Sequence, residues 1–244
     1  TIFEKKKSLN FKEGYGVQLS VNSIKILNKI GFKKFDLNER VNPEKINFYS
    51  NENSNKICEL DITDFNSVDC KYTTLKRSSL INFLKTDLEG LIKTGYNISK
   101  IDAQDKQIKL YFVNDETEEY DYLIISDGVF SKSKSLIFKD KARPKYNNTL
   151  AIRGILTKFS KNIDHKNITL FLGSNFHQVV YPVSSSGELN FIAIMKYHLS
   201  IEEQKDYSLF SKNSFVKKVL EKIPLRNKGF LEDLSELKIF PEFV

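Results

Sequence analysis

Between Leu150 and Met195 four short apolar runs follow one another with no helical pattern between them, and this succession constrains the fold more than any other feature. The runs cover residues 150–156, 168–172, 179–183 and 189–195, and Ser184-Ser185-Ser186-Gly187 supplies a turn between the last two. Runs rich in β-branched and aromatic residues, bounded by turn residues, read as strands. Strands that follow one another without a crossover helix pair antiparallel, so this region predicts an antiparallel sheet rather than a further series of βαβ units.

The flanking texture is different. Ser20 is placed to cap a helix whose stripe is Val21, Ile24, Leu27 and Ile30, and Gly31 is placed to end it. A second helix is expected after Arg77, with Ser78 as cap, Leu80, Leu84, Leu88 and Leu91 at helical spacing, and Gly95 closing it. Between them, residues 46–49 and 57–62 alternate as half-buried strands do, with Asn51-Glu52-Asn53-Ser54-Asn55 as their turn. Further short strands are expected at 98–101, 108–113 and 122–125, the last running into Asp127-Gly128. An amphipathic helical pattern resumes at 214–223.

Composition narrows the function classes. With 40% hydrophobic and 28% charged residues in 244, the chain can bury a sizeable core. No apolar run approaches the roughly 18 residues of a membrane span. The balance of 38 basic against 31 acidic residues leaves +7. The lysines are spread along the whole chain and arginine is scarce, which argues against a nucleic-acid patch. Cys58 and Cys70 lack CxxC spacing, and His165, His177 and His198 form no metal-ligand pair at helical spacing, so no metal is expected.

Three segments could serve one anionic ligand. Thr1-Ile2-Phe3-Glu4 reads as the end of the second strand of a dinucleotide-binding βαβ unit, with Glu4 placed to accept from a ribose diol and Lys5 beside it. In such a unit the acid follows the glycine loop by about 20 residues, so the chain reads as an interior piece of a larger nucleotide-binding protein. Arg77 precedes a predicted helix, where free N–H groups and the helix dipole favour phosphate. Asp127-Gly128 emerges from a predicted strand at the carboxyl end of a sheet, where such folds bind ligands. Gly14-Tyr15-Gly16 permits close backbone approach but is not a dinucleotide fingerprint.

In this order the segments resemble the FAD-dependent aromatic-ring hydroxylases, the class of p-hydroxybenzoate, salicylate and ubiquinone-biosynthesis hydroxylases. Phe3-Glu4-Lys5 with Gly14-Tyr15-Gly16-Val17-Gln18-Leu19-Ser20 is similar to that family's N-terminal part. Arg77-Ser78-Ser79-Leu80 resembles its Arg-x-x-Leu helix start, and Ile125-Ser126-Asp127-Gly128 its Asp-Gly motif. Ile152-Arg153-Gly154 and His177-Gln178-Val179-Val180-Tyr181-Pro182-Val183 look like its substrate-domain sheet. Ser126 stands where a small apolar residue is usual, and Lys134 where the motif ends in Arg.

The resemblance implies a mixed α/β (α+β) fold. Residues 1–40 and 71–145 would form an incomplete Rossmann-like FAD-binding domain, and 41–70 with 146–200 an interleaved antiparallel β-sheet substrate domain. Residues 201–244 would be a helical segment. It implies cofactor contacts from Glu4, Lys5, Gln18, Arg77, Asp127 and Gly128, and substrate contacts from Arg153 and Tyr181. The expected reaction uses FAD, NAD(P)H and oxygen to hydroxylate a small aromatic substrate, of ubiquinone-biosynthesis type in its narrowest form. A cytoplasmic enzyme is implied, with peripheral contact at the inner membrane if the substrate is prenylated. Alternatives are a flavin reductase or dehydrogenase on the same fold, or a basic binding module without catalysis.

Overall fold

A computed structural model of the protein describes residues 1–9, 15–104, 107–138, 143–156, 164–223 and 234–244. Gly14 therefore lies outside the described residues. The chain divides into two compact units, a smaller one of residues 1–11, 84–146 and 243–244 and a larger one of 12–83 and 147–242.

The larger unit is built on a seven-stranded sheet. Its order is Leu234–Phe243, Tyr146–Leu156, Leu189–Lys196, Phe176–Pro182, Ile168–Leu172, Lys45–Ser50 and Lys56–Asp61. The four expected strands are present and pair antiparallel with one another. The hairpin expected at 46–62 is also present, and it joins the same sheet because Lys45–Ser50 runs parallel to Ile168–Leu172. Residues 234–243, placed in a helical end by the sequence pattern, instead form an outer strand. Helices Ile201–Lys205 and Asn213–Glu221 precede it.

The two faces of this sheet are unequal. Leu150, Ile152, Val180, Leu189, Phe191 and Ala193 point to one side and are completely or almost completely buried. Fully burying such a side chain stabilises the fold by roughly 1.5–3 kcal/mol. On the other face, Arg153 pairs across strands with Ile192, Ile192 with Val179, Val179 with Leu170, and Leu170 with Phe48. These five residues form one row, and all are only half-buried. Directly paired residues share a face, so the row is a continuous apolar strip with a cation at one end.

A second, three-stranded antiparallel sheet contains Gly16–Leu19, Thr73–Lys76 and Arg40–Val41. The expected helix after Ser20 spans Val21–Asn28, and Gly31 adopts φ +94° just beyond it. Its stripe is only partly used. Ile24 is buried with Phe32 and Leu75, and Leu27 packs against them, but Ile30 lies past the helix end and is exposed. The helix after Arg77 is shorter than expected, Arg77–Lys85, because Asp87 takes φ +67° and Glu89–Leu91 forms a separate 3-10 turn before the strand Ile92–Thr94. Leu88 and Leu91 thus leave the helical register, and Arg77 rather than Ser78 marks the helix start.

Several contacts join this small sheet to the seven-stranded one. The Gly16 N–H donates to Asn190 Oδ1 at 2.5 Å, the Thr74 hydroxyl donates to the Pro182 carbonyl at 2.6 Å, and Lys76 pairs with Glu188 at 2.6 Å. No side chain fits at Gly16. A Cβ there would lie 2.7 Å from each of Asn190, Tyr181 and Val183.

In the smaller unit, Ile2–Glu4 runs parallel to Ile92–Thr94. A three-stranded antiparallel sheet of Thr117–Tyr120, Gln107–Phe112 and Ile98–Gln104 accompanies them. Phe3 lies 4.8 Å from the Phe112 ring centroid and 5.4 Å from that of Tyr96, so the opening strand is anchored by its aromatic residue. Residues 122–125 are not the strand their apolar pattern suggests. They pair with no described strand, and Tyr122 and Ile124 are exposed by 88% and 89%. A strand exists only where a neighbour takes up its N–H and C=O groups, and an apolar pattern alone does not provide one.

Two outcomes follow from the contacts between the sheets. Gly16→Ala is expected to lower unfolding stability by about 1–3 kcal/mol in urea titration, because the surrounding atoms belong to a packed core. A silent substitution would show that the approach is looser. For Glu188, burial pushes the carboxyl up, but the Lys76 ammonium and the Ser184 and Ser186 hydroxyls outweigh it, holding the group below its usual 4.5. A depressed folded value means that the stabilisation is present above the unfolded pKa and is lost as pH falls through the folded one. The stability gap between wild type and Glu188→Gln should therefore be largest near neutrality and close below about pH 4.5. A gap constant down to about pH 3 would disprove the linkage.

Candidate cofactor and substrate site

The smaller unit carries Glu4, Lys5, Asp127 and Gly128, and the larger carries Gln18, Arg77, Arg153 and Tyr181. Glu4 ends the parallel strand Ile2–Glu4, as the βαβ pattern requires. Its Oε1 accepts from the Lys6 N–H at 2.8 Å, its backbone carbonyl accepts from Tyr96, and no described cation forms an ion pair with it. Lys5 is exposed in the bend that follows. Asp127 caps the helix Lys132–Phe138 by accepting from the Ser133 N–H at 3.1 Å. Partial burial raises its carboxyl, but hydrogen bonds from Ser131 and Ser133 prevail and hold it below the usual carboxylate range. Gly128 has φ +89°, a conformation that favours glycine and lets the chain turn directly after the acid.

In the larger unit Arg77 is the first residue of its helix and is exposed. Its backbone N–H donates to the Tyr15 carbonyl at 2.8 Å, while no described carboxylate pairs with its guanidinium. The strand Gly16–Leu19 turns Gln18 outward, where its Oε1 accepts from the Tyr72 hydroxyl at 2.7 Å. Gln18 also lies close enough to Tyr181 to act on its hydroxyl, so two residues that the sequence assigns to different ligands are neighbours. Tyr181 is buried with Ile155, Ile168 and Val183. Burial drives its hydroxyl pKa well up, against the opposing charge of Arg153 and the neighbouring Gln18. The phenol therefore keeps its proton at neutral pH and serves as a hydrogen-bonding group rather than a base.

Arg153 stands at the end of the half-buried apolar row. Its guanidinium carbon lies 5.9 Å from the Tyr15 ring centroid and 6.0 Å from that of Phe240, and those two rings meet edge to face. Sequence reasoning missed Tyr72, Tyr15, Phe240 and Asn190. Each reaches the cluster through strand pairing or through contact between the two sheets, and neither leaves a local motif.

Among the described residues no group of three metal-ligating side chains gathers, and no helix is long and apolar enough to cross a membrane. Taken by kind, the strand-end carboxylate and acid–glycine turn of the smaller unit, and separately the helix-start guanidinium of the larger, are groups of the sort that hold ribose or phosphate. No protein-family model matches the chain. A salicylate hydroxylase from Pseudomonas putida is 23% identical over 138 residues, which is 50% of this chain and 32% of that protein. The structure of 2,6-dihydroxypyridine-3-hydroxylase from Arthrobacter nicotinovorans superimposes with a TM-score of 0.77 at 12% identity, covering 99% of this chain and 65% of the other. Klebsiella pneumoniae HpxO (R204Q) complexed with FAD gives 0.81 at 12% identity, covering 99% and 62%. A salicylate hydroxylase substrate complex gives 0.71 at 15% identity, covering 94% and 61%. The chain thus carries the fold of the FAD-dependent aromatic hydroxylases and spans 61–65% of the length of these three solved structures.

Proposed function

We propose that this chain forms part of an FAD-dependent monooxygenase that hydroxylates a small aromatic ring. The observation that carries the reading is the match of nearly the whole chain to hydroxylase folds, with Glu4 at the carboxyl end of a parallel strand where such folds hold ribose. FAD would supply the redox chemistry, accepting a hydride from NAD(P)H and delivering one atom of O2 to the ring while the other leaves as water.

The protein's own contribution is binding and orientation. Glu4 accepts from the ribose hydroxyls, with Lys5 adding positive charge beside it. Arg77 and the N–H groups at its helix start face the pyrophosphate, and Asp127 with Gly128 shapes the turn against the cofactor. Gln18, held by the Tyr72 hydroxyl, adds a cofactor contact. Tyr181 positions Gln18, and Arg153 meets the substrate at the edge of the apolar row. Residues 1–40 and 71–145 would then serve FAD, and the sheet of 41–70 and 146–200 the substrate. The narrower substrate reading, a polyprenylated phenol met at a membrane surface, rests on resemblance alone. The half-buried row supports an aromatic ring in either case.

The protein purified from its native coding sequence is expected to be yellow and to release flavin on denaturation. It should consume NAD(P)H and oxygen when a phenol is added. Glu4→Gln and Arg77→Ala should each weaken FAD retention by about tenfold or more, the scale of one charge-assisted hydrogen bond. A folded but colourless protein would overturn the flavin reading. Hydrogen peroxide without hydroxylated product would favour a reductase on the same fold.

A further inference from the structure

The helix Val21–Asn28 buries Ile24 against Phe32 and Leu75, yet its outer side is not the wholly polar face that such a helix normally shows. Ile26 and Ile30 are 65% and 61% exposed, and they alternate in sequence with the exposed Lys25, Lys29, Lys33 and Lys34. No acidic residue occurs from Val21 to Phe35. At 3.6 residues per turn, Lys25 and Lys29 lie between the Asn28 edge of the helix and Ile26. Asn28 fastens a further apolar projection at that edge. Its Nδ2 donates to the Asp69 carbonyl at 2.8 Å. Asp69 belongs to a turn closed by reciprocal bonds, in which the Ser67 N–H donates to the Cys70 carbonyl at 2.9 Å and the Cys70 N–H to that of Ser67 at 3.3 Å. Val68 sits at the tip of this turn, 96% exposed, and Phe65 just before it is exposed as well. Lys33 pairs with Asp69 at 2.7 Å, while among the described residues no carboxylate pairs with Lys25, Lys29 or Lys34.

We propose that this surface, the outer side of residues 21–34 together with the Val68 turn, docks the protein onto an anionic lipid bilayer. A single exposed apolar side chain needs no explanation. Here Ile26, Ile30 and Val68 project from one helix and the turn tied to it, held by main-chain hydrogen bonds. Little conformational freedom is therefore lost when they enter an apolar layer. The lysines between them match the headgroup charge, each adding roughly a fivefold gain in partitioning close to an anionic surface. Asp64 and Asp69 are the acids of the turn, and the four lysines outnumber them. A second copy is a poor occupant, because two such faces would bring like charges together. A protein partner would need a pocket for Val68, whereas the boundary of headgroups and acyl chains accepts it without one. Attachment through this surface is peripheral, since no described helix is long and apolar enough to span a membrane. The proposal rests on exposure and charge within the larger unit, and on neither flavin nor substrate.

Co-sedimentation of the protein purified from its native coding sequence tests it, using vesicles of phosphatidylcholine alone and vesicles with about 30% phosphatidylglycerol. Partitioning into the anionic vesicles should be about tenfold or more stronger than into the neutral ones, and salt should weaken it. Replacing both lysines, Lys25→Gln with Lys29→Gln, should lower anionic partitioning by about tenfold or more. Val68→Asp should also lower it, while Val68→Trp should raise it, because tryptophan favours the interface. All three positions are exposed, and thermal unfolding checks that the variants stay folded. No binding, equal partitioning into neutral and anionic vesicles, or anionic binding unchanged in the lysine and Val68→Asp variants would overturn the proposal. A dimer that forms without vesicles and is lost in Val68→Asp, read by light scattering, would also overturn it, by assigning the surface to a second copy.

Discussion

The close approach of Gly16 to the seven-stranded sheet is the constraint on which the larger unit's arrangement depends. Its N–H reaches Asn190 Oδ1, and its missing side chain lets the small sheet sit directly on Tyr181 and Val183. Asn190 is fully buried, and its Nδ2 has no hydrogen-bond partner among the described residues. An unsatisfied buried amide N–H costs about 1–3 kcal/mol. That cost is accepted in exchange for a fixed acceptor at the one place where two backbones meet this closely.

From that contact the rest of the cluster follows geometrically. Once Gly16 is fixed, its neighbour Tyr15 reaches the Arg153 guanidinium and Gln18 reaches both Tyr72 and Tyr181. Thr74 and Lys76 then close the junction from the adjacent strand. The polar side chains are thus positioned by main-chain pairing and by core packing, which are stiffer supports than a surface loop. The smaller unit organises its own candidate groups separately, with Phe3 packed among aromatic rings and Glu4 following at the strand end.

Much of the element pattern was legible in the residues. The four runs between Leu150 and Met195 are short, apolar and bounded by turn residues, and the 46–62 hairpin alternates, patterns that allow few other conformations once they must be buried. The errors have physical causes. The leucine spacing after Arg77 continues past the helix because spacing does not register the left-handed Asp87 that ends it. Tyr122 and Ile124 look like strand residues, yet their segment pairs with no described strand. The strand at 234–243 carries Pro241 and charged residues, which mask its pattern but are tolerated at an outer position.

Local chemistry set by the sequence alone includes the acid closing a short apolar strand, the arginine at a helix start, the acid–glycine turn and the antiparallel run of strands. Each depends on neighbours within a few residues, so composition and spacing are enough to reveal it. Tertiary structure alone decided that Arg153 faces Tyr15 and Phe240, that Gln18 links Tyr72 to Tyr181, and that Asn190 receives Gly16. The Gly16 contact spans 174 residues of chain and the Tyr72–Gln18 bond spans 54. Pairings so remote depend on strand register and on how closely two sheets approach, quantities that exist only once the chain has packed.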